Sequence, residues 1–331
     1  GMGMARKKKK QPDADNSILG DVDWKNVSTE WEVDCFSRPV MREGKKMWEL
    51  MVCDSSGAYR RVAQMKPTRV NSVVVQKLLK IFIEESKVKP QTIRFFRKVM
   101  KNMLTVAMQN LSAELKNMEE LKILPSRNCH TLRLWMAYRE VMVYPQMQGF
   151  IEAPVKRSAP VQTSMVQLQR EKLPEMIKFT RYTMSRIPAS FLMSLEPGQL
   201  PGSLASIPLG MDPEMDIYGI MVFSSRAQVI CAVLKTMELA ALRVDLESNE
   251  LLLDFDIDTT YRVDKVRGDE KAEFIEFERS KRNSWGYHFF AVHDPIANGE
   301  DPRLPSPGET NEAGLVSGIW TLIDYTPWDE Q

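Results

Sequence analysis

Residues 31–54 read WEVDCFSRPVMREGKKMWELMVCD. Trp31–Val40 and Lys46–Asp54 read as extended segments, and in the first Trp31, Val33 and Cys35 alternate with Glu32 and Asp34. That period of two is the pattern of strands with one buried face. Between them, Arg42-Glu43-Gly44-Lys45 places a glycine among charged residues, so the stretch predicts a β-hairpin. Working outward, Asp54-Ser55-Ser56-Gly57 is a second turn, and Ala58–Met65 can add a third strand. Trp31 and Trp48 are read as core residues of this meander.

The period then changes. Asn71 offers a capping oxygen to a helix from Ser72 to about Glu85, with Val74, Leu78, Ile81 and Phe82 on one face. Lys89-Pro90 ends it. Thr92–Phe96 is a short strand. Met100–Leu115 is helical, with Met103, Leu104, Ala107, Met108 and Leu111 at helical spacing. Lys122–Leu124 is another short strand, and Cys129–Tyr144 a third helix carrying Leu132, Trp135, Met136 and Val143. The order β-β-β-α-β-α-β-α predicts an α+β domain with a mixed sheet, and it admits a ribonuclease-H-like arrangement.

Pro145, Pro154 and Pro160 punctuate a Pro/Gln/Ser-rich stretch that reads as a linker. Beyond it, Met176–Met184 alternates as a strand, Pro197–Pro213 is a loop, and Ile217–Phe223 is a buried strand. Arg226–Leu239 is a helix. Leu242–Glu247 and Leu251–Ile257 form a hairpin around Ser248-Asn249. Glu270–Arg282 is a charged helix, and Tyr287–Val292 and Gly318–Ile323 close the fold across a polar, Pro-rich loop. The expected organisation is a basic tail (1–23), an α+β domain (24–148), a linker (149–171) and a second α+β domain (172–326).

At roughly 100–200 residues per domain, two domains also suit a chain of 331 residues. Forty-five Lys and Arg against 44 Asp and Glu give no bulk charge toward nucleic acid, so any such binding must come from local patches. Four dispersed cysteines, without a CxxC pair, fit buried thiols in a reducing compartment. Three histidines, none at ligand spacing to a cysteine pair, predict no metal site. No apolar run approaches the roughly 20 residues that span a bilayer. Arg6–Lys10 is followed by no apolar segment, so the start is not a secretory signal, and an organelle transit peptide is expected to be absent or removed. The run reads as a solvated tail or as an electrostatic arm for phosphates.

Glu32, Asp34, Glu49 and Asp54 fall on adjacent strands, and paired carboxylates can hold Mg²⁺ for phosphodiester cleavage. Two nuclease patterns fail, however. A ribonuclease-H site wants a carboxylate inside the first helix and another after the fourth strand. Here the helix carries only Glu84 and Glu85 at its far end, and Ile93-Arg94-Phe95-Phe96-Arg97 supplies cations. A restriction-type site wants a lysine two residues after an acid, but Glu49 is followed by Leu50 and Met51. Pairing of the acids with Lys45, Lys46 or Arg38 is the better expectation. Phosphate-cradling glycine loops and a GxSxG elbow are absent from the sequence. The expectation is no catalytic residues, no metal and no cofactor.

Lys87, Lys89, Arg94, Arg97, Lys98 and Lys101, interleaved with Phe95 and Phe96, form the best basic cluster, and Arg127, Arg133 and Arg139 extend it. Cations neutralise phosphates while aromatic and guanidinium planes stack on unpaired bases. A solvated helical face with phenylalanines in the core explains the same pattern.

Several stretches can be read together: residues 31–39 and 44–54, Ile93–Arg97, Pro125–Cys129, Phe223-Ser224-Ser225-Arg226-Ala227, Gly286–Val292 and Gly318-Ile319-Trp320-Thr321-Leu322. In this order they resemble the chloroplast and cyanobacterial Tab/Atab family of translation activators. The resemblance covers about residues 24–148 and 172–325, with Cys35 where an aromatic and Val233 where a tryptophan are more usual. It implies a non-enzymatic RNA-binding protein acting on the A/U-rich leader of a photosystem I reaction-centre mRNA. Its setting would be the chloroplast stroma, or the cytoplasm of a cyanobacterium. Implied partners are single-stranded A/U-rich RNA and proteins of a translation complex, with no membrane insertion. The alternatives are a photosystem-assembly scaffold that binds no RNA and, less favoured, a metal-dependent nuclease. The family motifs define no RNA contacts. Charge and aromatic placement nominate Arg38, Lys45, Lys46, Arg94, Arg97, Lys98 and Arg127. Arg127 precedes a helix N-terminus, a place that itself suits a phosphate.

Overall fold

The computed structural model describes residues 21–115, 118, 120–152, 170–196, 200–202, 210–295 and 316–325. The chain divides into two compact units, the first reaching Pro125 and resuming at Cys129, the second holding Ser126–Asn128 and the later half. Both mix helices with sheets, as the element order predicts.

In the first unit the hairpin forms as expected, from β1 (Glu30–Arg42) and β2 (Lys45–Asp54), with Arg42 opposite Lys45. Glu43 and Gly44 both take positive φ, +49° and +79°, the two-residue turn whose twist matches its strands. Next come β3 (Arg60–Met65), α1 (Ser72–Glu85), β4 (Thr92–Phe95), α2 (Lys101–Glu114), β5 (Lys122–Pro125) and α3 (His130–Met142). The sheet order is β3-β2-β1-β4-β5; β2 runs antiparallel to β1 and β3, while β4 and β5 run parallel to β1. This is the ribonuclease-H-like order.

Alternation along β1 decides what lies on each face. Trp31, Val33 and Cys35 point to the core beneath α1 and α2, with Val75, Leu79, Leu104, Met108 and Leu111. The other face takes Met51, Cys53, Leu132 and Trp135 beneath α3. Asn71 caps α1 as predicted, accepting from the backbone N–H of Val73 and Val74. The buried face of α1 is Val75, Leu79, Phe82 and Ile83, one residue on from the predicted set; Ile81 is 57% exposed.

Residues 145–152, the start of the stretch read as a linker, pack instead on this unit. Tyr144 is buried, Phe150 bridges to Val40, and the N–H of Ile151 donates to Pro39 O at 2.9 Å. Gly149 (φ +91°) permits the close pass, since a Cβ there would meet Met41 O at 2.3 Å. Residues 153–169 and the Arg6–Lys10 run lie outside the described residues.

Among its described residues the second unit has two four-stranded sheets. One orders β6 (Glu171–Lys172), β11 (Thr259–Lys265), β10 (Glu250–Phe255) and β9 (Leu239–Asp245). The other orders β13 (Gly318–Ile323), β12 (Tyr287–His293), β8 (Asp216–Phe223) and β7 (Arg181–Pro188). Helices α4 (Ala189–Ser194), α5 (Ala227–Leu234) and α6 (Lys271–Asn283) complete it. Three expectations are corrected. Glu175–Ile177 is a 3-10 turn, and the strand follows it as β7. The Arg226–Leu239 helix stops at Leu234, because Leu239 opens β9. Thr259–Lys265 is a strand that the sequence reading missed.

Strand β12 is buried throughout and shows the period of two: Phe290 and Val292 enter one core, Tyr287, Phe289 and Ala291 the other. His288 is structural. Its Nε2 accepts the Leu242 N–H at 2.9 Å while Nδ1 lies 2.9 Å from Gly286 O, and burial pushes the imidazole down to about 3. Among the described residues no helix is long and apolar enough to cross a membrane.

Candidate functional site

The four acids of the hairpin are buried, Glu32, Asp34 and Glu49 on the α3 face and Asp54 at its turn, and each is spoken for. Asp34 accepts from Arg38 Nη2 at 2.8 Å and from Arg97 Nε at 2.6 Å, one arginine on each oxygen. Glu49, fully buried, accepts from Arg139 Nη2 at 2.8 Å and Tyr144 OH at 2.6 Å, with Arg38 Nε 3.4 Å away. Asp54 holds its turn, accepting from the backbone N–H of Ser28, Ser56 and Tyr59. Glu32 accepts the Leu132 N–H at 3.1 Å. Acid pairing with Arg38 is therefore as expected, but Lys45 and Lys46 stand exposed at the hairpin and take no part.

Two cations of the sequence reading are buried in this network: Arg38 of the nominated set, and Arg139 of the extended basic cluster. Arg38 is 5% exposed and committed to Asp34 and Glu49, so it offers nothing to a phosphate. Arg139 is fully buried on Glu49. The first turn of α3 is likewise occupied, because Glu32 takes the Leu132 N–H that an anion would use. Glu85, at the far end of α1, is held by Arg61 at 2.6 Å, which keeps its carboxyl below the ordinary value. Among the described residues no group of three or more His, Cys, Asp or Glu is arranged to hold a metal ion. The four cysteines are buried thiols outside any disulfide, and burial pushes the Cys35 thiol up to about 12.

What remains on this face is cationic and aromatic. Where β4 ends, Arg97 lies over two rings, its Cζ 4.0 Å from the Phe36 centroid and 5.1 Å from that of Phe96. Arg133 of α3 lies over Phe96 at 4.3 Å. Phe36, Phe96, Arg97 and Arg133 are each half-buried. Trp48 flanks the group, 5.7 Å from Phe36. Arg94 pairs with Glu30, and Lys98 and Lys101 are exposed beyond the strand end. Arg127 groups instead with the second unit, 3.5 Å from Asp254. Lys89 closes the C-terminus of α1, donating to Ile83 O and Ser86 O at 2.6 Å each.

Phe36 was missed by the sequence reading. Its signal was available: it shares the Glu32–Asp34 face of β1 by the period of two, which brings it beside the residue after β4.

Residues 30–139 match the family profile described as "RNA-binding protein Tab2/Atab2 N terminal", and residues 159–299 match "RNA-binding protein Tab2/Atab2, C-terminal domain". The chain belongs to the Tab2/Atab2 family of RNA-binding proteins. It is 28% identical over 312 residues to the protein "TAB2 homolog, chloroplastic" of Arabidopsis thaliana, spanning 90% of this chain and 75% of that one. To the Zea mays protein of the same name it is 28% identical over 321 residues, spanning 93% and 74%. A simian T-cell lymphotropic virus intasome structure in complex with PP2A regulatory subunit B56 gamma aligns at 8% identity over 72% of this chain and 79% of that one. Its TM-score of 0.29 carries no argument. The hairpin acids, the arginines that hold them and the Phe36–Arg133 group all fall inside the Tab2/Atab2 N-terminal match.

Proposed function

We propose that this chain is a non-enzymatic, RNA-binding translation activator that takes the A/U-rich leader of a photosystem I reaction-centre mRNA in the chloroplast stroma. The observation that carries the reading is the arginine and phenylalanine group at the end of β4, flanked by Lys98 and Lys101. Beside it both oxygens of Asp34 accept from arginines. A cationic, aromatic surface binds single-stranded RNA without cutting it. Family membership and the chloroplastic names of the plant relatives support the setting. The protein acts by holding the leader open or by recruiting the translation apparatus.

A titration of A/U-rich and G/C-rich single-stranded RNA at two salt concentrations, with Mg²⁺ present, tests this. The expected result is A/U preference, affinity that falls steeply with salt, and intact RNA. Lys98→Glu with Lys101→Glu is expected to weaken binding at least roughly tenfold at low salt. It should flatten the log–log salt slope by about 1.4, at about 0.7 per phosphate contact on a single strand. RNA cleavage lost in Asp34→Asn would overturn the non-enzymatic reading.

A second reading, an assembly scaffold without RNA, is favoured by one feature. Leu134, Tyr138, Val141 and Met142 form an exposed apolar stripe along α3. Affinity for RNA no better than that of a neutral control protein would move the weight there.

A further inference from the structure

We infer that Phe36, Arg97, Phe96 and Arg133 form a preassembled platform on which unpaired nucleobases stack, and that Arg97 serves there as a plane rather than as a phosphate contact. The inference rests on the RNA-binding reading and assigns the chemistry within that site.

Three observations support it. First, cation and ring alternate: Arg97 over Phe36 at 4.0 Å and over Phe96 at 5.1 Å, Arg133 over Phe96 at 4.3 Å. Rings and guanidinium planes are the surfaces that extend a base stack, and every base offers a π-face to them. Second, the charge of Arg97 is already answered. Its Nε donates to the buried Asp34 at 2.6 Å, so a phosphate gains little from it, while the same bond fixes the plane over Phe36. Third, the platform is anchored on three elements, with Phe36 on β1, Arg97 and Phe96 just after β4, and Arg133 on α3. Little ordering is left for binding to supply. All four side chains are half-buried, so part of each reaches solvent. The division of labour follows: phosphates lie toward the exposed Lys98 and Lys101, bases over the ladder.

The test compares an oligouridine RNA with an abasic ribose–phosphate strand of equal length and charge, using the full chain. Wild type is expected to prefer the base-bearing strand at least roughly tenfold. Phe96→Leu, Phe36→Leu and Arg97→Lys are each expected to lose roughly 5- to 100-fold on oligouridine. Their affinity for the abasic strand and their salt slope should stay unchanged. Arg97→Lys is the sharpest variant, because it keeps the charge and removes the plane. Variants that bind oligouridine as wild type does, or that weaken on both strands equally, overturn the platform and leave RNA binding standing. If wild type binds neither strand, the RNA-binding reading fails first and takes the platform with it. Photocrosslinking of 4-thiouridine RNA to wild type guards against misfolded variants. Adducts on the peptides holding Phe36 or Phe96 are expected, and adducts confined to other peptides overturn the assignment.

Discussion

Glu49→Ala is expected to destabilise the first unit by about 3–5 kcal/mol, the cost of breaking a buried ion pair from one side. Glu49 and Asp34 are the two carboxylates facing Arg38 and Arg139 under α3, and Glu49 contacts both arginines. Arg139 and Glu49 are wholly buried, and Arg38 is nearly so. Tyr144 adds a neutral donor, because burial pushes its phenol well up. Removing the carboxylate takes from the buried Arg139 the acceptor of its Nη2 and from the Tyr144 hydroxyl the acceptor it donates to. The paired change behaves differently. Glu49→Leu with Arg139→Leu removes both charges, and such swaps often cost little. It should therefore recover most of the loss, a coupling that a double-mutant cycle reads directly. Hydrogen exchange at β1 and β2 localises the effect to this unit, which a whole-chain melt of two units cannot do. A loss below about 1 kcal/mol in Glu49→Ala would mean that water reaches Arg139.

This network also marks the limit of what the sequence discloses. The hairpin was legible because alternation and an Arg-Glu-Gly-Lys turn are local signals. So was the capped start of α1, where Asn71 must answer two orphan N–H groups. Its rotational phase was not. Val73, Val74 and Val75 are consecutive, so the apolar stripe can be drawn through either neighbour, and packing on α2 selects Val75 and Leu79. Arg139 read as part of a basic cluster because its partner is distant in sequence; Glu49 meets it across 90 residues. The same distance hid Phe36, which meets Arg97 only once β1 and β4 pair. In the second unit, Thr259–Lys265 is made of half-buried and exposed residues, and its strand form is dictated by pairing with β10 and β6. Local periodicity thus carried the element order, while the charged layer is a tertiary fact.

Glu32→Gln is expected to stabilise the protein at pH 8 by on the order of 3 kcal/mol and to remove a pH dependence that wild type shows. Burial is the main cause, pushing the Glu32 carboxyl from 4.5 up to about 8; the nearby Asp54 adds to it, while the Leu132 N–H and Arg94 oppose it. The sign follows from proton counting. Between about pH 4.5 and 8 the native carboxyl holds a proton that the unfolded chain has released. Stability in that window therefore falls as pH rises. Below it both states are protonated, and above it both are ionised, so the contribution is flat on either side. Glutamine keeps the oxygen that accepts the Leu132 N–H and cannot ionise. The measurement is chemical denaturation of wild type and variant at steps from pH 5 to pH 9, read as the difference between the two. That difference should grow toward pH 8 and then level off. A difference independent of pH would show that the carboxyl is charged throughout, and the first turn of α3 would then rest on an ionised Glu32.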